Sequence, residues 1–268
     1  MIAAELLIRC SCALLGLWGV LHALQWFADL RHWRDGSALG WDLQRLRKSR
    51  AVRSSTVAVI YGDSGLPVLI AGLLIASAGL LVLPLMLLTL ALLAVFLLAV
   101  LALAQRSFAD GADKMAMAVA SGALLQNMGL AVGSDQLVLA GCLWTGGQLT
   151  LAYFAAGASK LLLAGWRNGT VPRQALTSYA WGQPWTAALV NKTGASLVLG
   201  WLIMGTETLF PLALFAPAPV LYGALAGMFL LHLVIAAVMG LNTYPWAFLA
   251  AYPSVLFLGQ WLATTLSR

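Results

Sequence analysis

The stretch LPVLIAGLLIASAGLLVLPLMLLTLALLAVFLLAVLALAQ, Leu66 to Gln105, runs for 40 residues without a charged side chain. Twenty apolar residues are enough for one bilayer crossing, so the block is too long for a single span. Pro84 stands near its middle and cannot donate the backbone hydrogen bond a continuing helix needs. The block therefore reads as two membrane helices with a tight turn near Leu83. Asp63 and Ser64, just ahead of Pro67, read as the N-cap of the first.

The rest of the chain agrees. It has 268 residues, 62% hydrophobic and only 9% charged, with a mean hydropathy of +0.90. Soluble domains are nearer half apolar and a quarter charged. A soluble core cannot absorb this much apolar surface, and the expected class is an all-α, polytopic transmembrane helix bundle forming a single integral membrane domain over residues 1–268.

Working outward, spans are expected at Leu6–Leu30, at the two halves of Leu66–Gln105, and at Gln136–Ala164, Gly194–Ala216, Val220–Gly240 and Trp246–Leu262. Met115–Val132 carries Ser121, Gln126 and Asn127, and its pattern leaves open crossing, dipping in and returning, or lying at the interface. Seven crossings are expected, within a range of six to eight. Gly133-Ser134-Asp135 reads as the cap of the Gln136 span, and Pro211 as a break in the Gly194 span. Glu5 and Arg9 interrupt the first apolar run and no small-x-small site follows, so that span reads as retained rather than cleaved.

The formal charge is +6. In a membrane chain this points to loops facing anionic lipid, not to nucleic acid. The polar segment Arg31–Ser55 carries Arg31, Arg34, Arg45, Arg47, Lys48, Arg50 and Arg53, which the positive-inside rule places in the cytoplasm, with the N-terminus outside. Gly165–Pro184 reads as a polar loop in the headgroup zone, with Trp166, Arg167, Arg173, Tyr179, Trp181 and Trp185 in or beside it. Cys10, Cys12 and Cys142 lie in apolar runs and read as inert thiols. Asn168-Gly-Thr and Asn191-Lys-Thr match the glycosylation pattern by chance. No phosphate loop, zinc-spaced cluster or nucleophile triad stands out, and nothing supports haem or metal. His22 reads as a helix-packing residue and His32 as solvated.

Charges inside the hydrocarbon are costly and need a partner or a purpose. Arg9, Lys160, Glu207 and His232 qualify. Lys160 ends its span on a face shared with Thr150, Tyr153 and Ala156/Gly157. It reads either as a snorkelling anchor beside Trp166 or as a partly desolvated general base. His232, mid-span, is a helix–helix hydrogen-bond partner or a site residue. Glu207, beside the Pro211 break, lines a cavity or makes an ion pair holding the bundle together, with Arg9 as a candidate partner.

The segment YFAAGASKLLLAGWRNG, from Tyr153, resembles the one around the active-site lysine of the vitamin K-dependent gamma-glutamyl carboxylases. Tyr153, Phe154, Ala156, Gly157, Lys160, Leu161, Trp166 and Gly169 fit that pattern with one insertion before the tryptophan. HLVIAAVMGLNTYPWAFLAAYPSVLF resembles the late membrane region of the same family at His232, Tyr244, Leu249, Ala250 and Pro253. Arg9 and the stretch ADLRHWRDG resemble its first helix and following polar segment. The chain is identified on these segments as a member of the HTTM (horizontally transferred transmembrane) domain family, which takes in SdpB-like toxin maturation proteins. The resemblance implies Lys160 as the base that deprotonates a reduced quinone of the vitamin K kind; in a membrane enzyme of this kind, His232, Tyr153 and Glu207 would help to position or polarise the substrate. Tyr153, Thr150, Asn127 and Trp166 would then bind substrate. The Asn-His pair that precedes the lysine segment in the carboxylases is replaced here by Gln126-Asn127-Met128. The carboxylases' large peptide-holding domain has no room in the chain, and the family places the first polar segment outside the cytoplasm. The alternatives are a non-catalytic membrane subunit for maturation or export of a secreted peptide or redox protein, and a small transporter. A bacterial cytoplasmic membrane is the expected location.

Overall fold

The computed structural model describes residues 4–33, 36–37, 40, 42, 46, 59–105, 110–179, 181–190 and 194–266, and every regular element among these is helical. The long elements are α1 (Ala4–Ala28), α2 (Gly65–Val82), α3 (Leu85–Gln105), α4 (Gly111–Val132) and α5 (Asp135–Leu162). Three short helices follow, α6 (Ala164–Arg167), α7 (Thr170–Thr177) and α8 (Pro184–Val190). Then come α9 (Ala195–Leu209), a 3-10 helix Phe210–Phe215, α10 (Ala218–Met239), α11 (Tyr244–Leu249) and α12 (Tyr252–Leu266). Seven helical segments among the described residues are long and apolar enough to cross a bilayer, and α3 is apolar through Leu87–Leu101. The chain is a multi-pass integral membrane protein.

Most punctuation follows local chemistry. Pro84 separates α2 from α3 through the two non-helical residues Leu83 and Pro84. Ser134 Oγ accepts the Leu137 N–H (3.4 Å) at the start of α5, and Asp110 and Asp113 form a reciprocal capping box on α4. Two expectations are narrowed and one, the Gly165–Pro184 loop, is corrected. Ser64 occupies the N-cap position of α2 but makes no side-chain cap hydrogen bond. The Met115–Val132 region is a continuous 22-residue helix from Gly111, which rules out a segment that dips in and returns. Gly165–Pro184 contains α6 and α7 and leads into α8. The last span is also broken between Leu249 and Tyr252. Pro253 has no N–H, so the Leu249 carbonyl loses the donor four residues on. Arg34, Arg45, Arg47, Lys48, Arg50, Arg53 and the Asn191-Lys-Thr triplet lie outside the described residues.

Packing divides the chain into two compact units, Ala3–Gly141 and Cys142–Arg268. In the first, α1 lies against α2 at Gly16, where an added Cβ would sit 2.7 Å from the Ser77 carbonyl oxygen. Such small-residue contacts replace the hydrophobic driving force that lipid removes. Ala23, Trp26, Tyr61, Leu66, Leu69 and Ile70 form a buried cluster here. In the second, the buried positions of α5 are Cys142, Thr145, Gly146, Leu149, Tyr153 and Gly157. That three-and-four spacing makes one continuous face along the helix.

Candidate functional site

Four turns of sequence logic meet on that face of α5. Lys160 Nζ donates to Glu207 Oε2 at 2.6 Å, and both side chains are largely enclosed, 20% and 11% exposed. The contact exists because Gly157, one turn earlier, has no side chain. A Cβ there would come within 2.5 Å of the Thr208 backbone nitrogen and 2.9 Å of Glu207 Cβ. The two helices touch backbone to backbone, and the long lysine reaches sideways to the carboxylate. Behind the ammonium lies the Trp166 ring, 5.3 Å from Nζ to centroid, within cation–π range.

Two turns back, the buried Tyr153 hydroxyl lies 3.1 Å from His232 Nε2 and 3.4 Å from the Tyr252 hydroxyl. Aromatic rings hold this group in place. Phe210 meets Tyr153 edge-on at 4.8 Å, and Phe248 stacks on Tyr153 at 5.6 Å and lies 4.1 Å from His232. Tyr244 stands 6.0 Å from the His232 ring. The break before Pro253 is what lets Phe248 and Tyr252 serve one site from two short helices. His232 is 5% exposed, and its Nδ1 has no hydrogen-bond partner among the described residues. Lys160 follows Tyr153 by two turns on the same helix, and Glu207, which it holds, precedes Phe210 by three residues, so ion pair and aromatic group adjoin.

Beside them, an apolar cavity of about 380 Å3 opens between α9, the 3-10 helix and α10. Phe210 belongs to both its wall and the aromatic group, and Met228, also in the wall, is one turn before His232. Leu209, Leu212 and Val220 in its lining are more than half exposed, so it is reachable from lipid.

The structure therefore brings Lys160, Glu207, Trp166, Tyr153 and His232 together in the second unit. Thr150 shares their helix face, but its hydroxyl donates to its own helix at the Gly146 carbonyl oxygen (2.8 Å). Asn127 is buried in the first unit, where its Nδ2 donates to Thr89 Oγ1 (2.6 Å). Arg9 pairs with Glu5 one turn away (3.1 Å) and is exposed, so the Arg9–Glu207 pair is corrected to Lys160–Glu207. The pattern gave no sign of Tyr252, Phe210 or Phe248, since aromatic residues are ordinary in such spans. It also gave no sign that His22, stacked on Trp18 at 5.0 Å, faces the buried Asp113 across 3.6 Å. No group of three or more metal-ligating side chains occurs among the described residues.

No family model, curated protein or solved structure matches this chain.

Proposed function

We propose that this protein is a membrane enzyme whose Lys160 removes a proton from an acidic hydroxyl of a lipid-soluble, quinol-like substrate. The observation that carries the reading is the largely enclosed Lys160–Glu207 pair beside a histidine whose Nδ1 is buried and has no partner among the described residues. An orphaned buried polar atom costs about 1–3 kcal/mol. A substrate oxygen bound to His232 Nδ1 removes that cost, and the lipid-accessible cavity suits the apolar body of such a molecule. The resemblance of the Tyr153–Gly169 segment to the carboxylase lysine segment supports the same role.

The chemistry is one proton transfer. A proton moving from Lys160 Nζ to Glu207 Oε2 leaves a neutral amine and a neutral carboxylic acid. The amine then takes the substrate's hydroxyl proton, giving the substrate oxyanion and an ammonium. His232, held through Nε2 by Tyr153, donates to that oxyanion. In the test, purified protein in nanodiscs receives a reduced benzo- or naphthoquinone, and the oxyanion is followed by its ultraviolet absorbance. Lys160→Met is expected to abolish the signal and His232→Phe to weaken binding. An unchanged signal in Lys160→Met rules the role out.

A second reading is favoured by the same ion pair and by Trp166 packed on the ammonium: a non-catalytic subunit in which the pair only locks α5 to α9. It predicts that replacing both partners with apolar residues leaves the protein's cellular role intact.

A further inference from the structure

The segment after Lys160 is an ordered structure whose exposed side has one chemical character. On α7, Val171, Pro172, Ala175 and Leu176 turn inward, while Thr170, Arg173, Gln174 and Thr177 are exposed. That is a three-and-four amphipathic pattern on a helix of mean polarity, as expected for a helix lying in an interface. The segment is fixed to the first half of α9. Gly169, in the left-handed region at φ +77°, would with a Cβ press within 2.7 Å of the Leu197 backbone nitrogen. Trp201 Nε1 donates to the Arg167 carbonyl oxygen (3.2 Å). Thr186 Oγ1 accepts the Gln183 N–H (2.9 Å) and reaches back to the Leu176 carbonyl oxygen (3.1 Å), tying α8 to the end of α7.

Around this frame Tyr179, Trp181, Trp185 and Trp201 are exposed, as are Arg167 and Arg173. No acidic residue occurs in the sequence between Asp135 and Glu207, whereas Lys160, Arg167, Arg173 and Lys192 do. Glu207 is already held by Lys160. Two exposed guanidinium groups among amphipathic rings, in a stretch whose residues 136–206 include no carboxylate, match a layer of phosphate headgroups over acyl chains.

We propose that residues 164–179, 181–190 and 194–201 form a membrane-surface collar that binds the phosphate headgroup of anionic phospholipid through Arg167 and Arg173. Each arginine near an anionic surface contributes about 1 kcal/mol, which is about five-fold in lipid preference. The full-length protein is placed in phosphatidylcholine vesicles at low salt, with dibrominated phosphatidylglycerol or dibrominated phosphatidylcholine as quencher of tryptophan fluorescence. Trp181, Trp185 and Trp201 stand in the collar, and the signal of the other tryptophans is taken from a Trp181→Phe/Trp185→Phe variant and subtracted. The expected result is stronger quenching by the glycerol lipid, weakened by salt, with the preference falling about five-fold in Arg173→Gln and further in Arg167→Gln/Arg173→Gln. Glu5→Gln/Arg9→Gln, which removes an exposed arginine together with the carboxylate that already neutralises it, is expected to change nothing. Arg173 makes no side-chain hydrogen bond among the described residues, so the single variant stands even if Arg167→Gln affects folding through its bond to the Leu161 carbonyl oxygen. Equal quenching by the two lipids, an unchanged Arg173→Gln, or an equal loss in Glu5→Gln/Arg9→Gln overturns the proposal. The first of these would leave the arginines to an acidic protein partner.

Discussion

At the scale of the residue, the question is what a lysine gains by meeting a carboxylate inside a helix bundle. Two charges taken out of water are only repaid if the geometry is close and other bonds are satisfied. Removing one partner then costs more than removing both. Glu207→Gln is expected to destabilise the protein by about 3 kcal/mol, whereas Lys160→Met with Glu207→Leu is expected to lie near the wild type. Unfolding in mixed micelles with increasing denaturing detergent measures this, and equal losses in the single and double variants contradict a buried pair. Stability and chemistry separate at Tyr153. Tyr153→Phe keeps the rings packed on Phe210 and Phe248 but removes the hydroxyl from His232 Nε2 and Tyr252. A single hydrogen bond between membrane helices contributes about 0.6 kcal/mol on average. The variant should therefore stay folded while the His232 ring loses its fixed orientation and substrate proton transfer falls at least ten-fold. A loss of several kcal/mol instead makes Tyr153 a structural residue.

At the scale of the element, the contact of α5 with α9 depends on Gly157. Overpacking a tight contact costs about 1–3 kcal/mol, and here the obstacle is the Thr208 backbone, which cannot rotate away. Gly157→Ala is expected to cost at least about 2 kcal/mol and to separate Lys160 from Glu207. Gly147→Ala, on the same helix with open space around its Cβ position, should be neutral or slightly stabilising, since alanine is the better helix former. Thermal melting followed by circular dichroism in detergent distinguishes the two, and equal shifts refute the account. Gly157 also shows why part of the site was readable in advance. A glycine three residues before a lysine marks close approach, and the face Tyr153–Gly157–Lys160 follows from helical periodicity alone. The partner across the contact does not follow from it, because periodicity says which face is buried and not against what. Arg9 was as good a partner for Glu207 by sign of charge. The break at Ala250-Ala251 was signalled by Pro253, yet a proline near a helix start is also ordinary, so the short α11 and the inward turn of Tyr252 needed coordinates. The polar stretch from Gly165 read as loop because its helices are shorter than the window that reveals periodicity.

At the scale of the whole molecule, the apolar blocks and their prolines made the all-helical membrane class legible, while the number of crossings turned on two helices. The Met115–Val132 region proved to be a full-length helix from Gly111, and α3 has 21 residues without a charge. Counting α3 with the seven other spans gives eight crossings, an even number that puts residues before α1 and after α12 on the same side. The charge pattern tests this independently. With eight crossings, the segments Arg31–Ser55, 106–110 and 163–194 fall on one side, and they hold most of the chain's arginines and lysines. The short connections at Pro84, Gly133-Ser134 and Pro217 fall on the other and contain no basic residue. Seven crossings without α3 would split the basic segments between the two faces, against the positive-inside rule. The expected arrangement thus has basic segments and the collar facing the cytoplasm, where anionic lipid is concentrated, and both chain ends outside. Single cysteines placed at Gly36, Gly133, Ser178 and Ala216 in a background lacking Cys10, Cys12 and Cys142 read this out in intact cells. A membrane-impermeant maleimide should label Gly133→Cys and Ala216→Cys from outside, and Gly36→Cys and Ser178→Cys only after the membrane is opened. Labelling of Gly36→Cys and Ser178→Cys from opposite sides would remove α3 from the crossings and with it the argument that one face carries the charge.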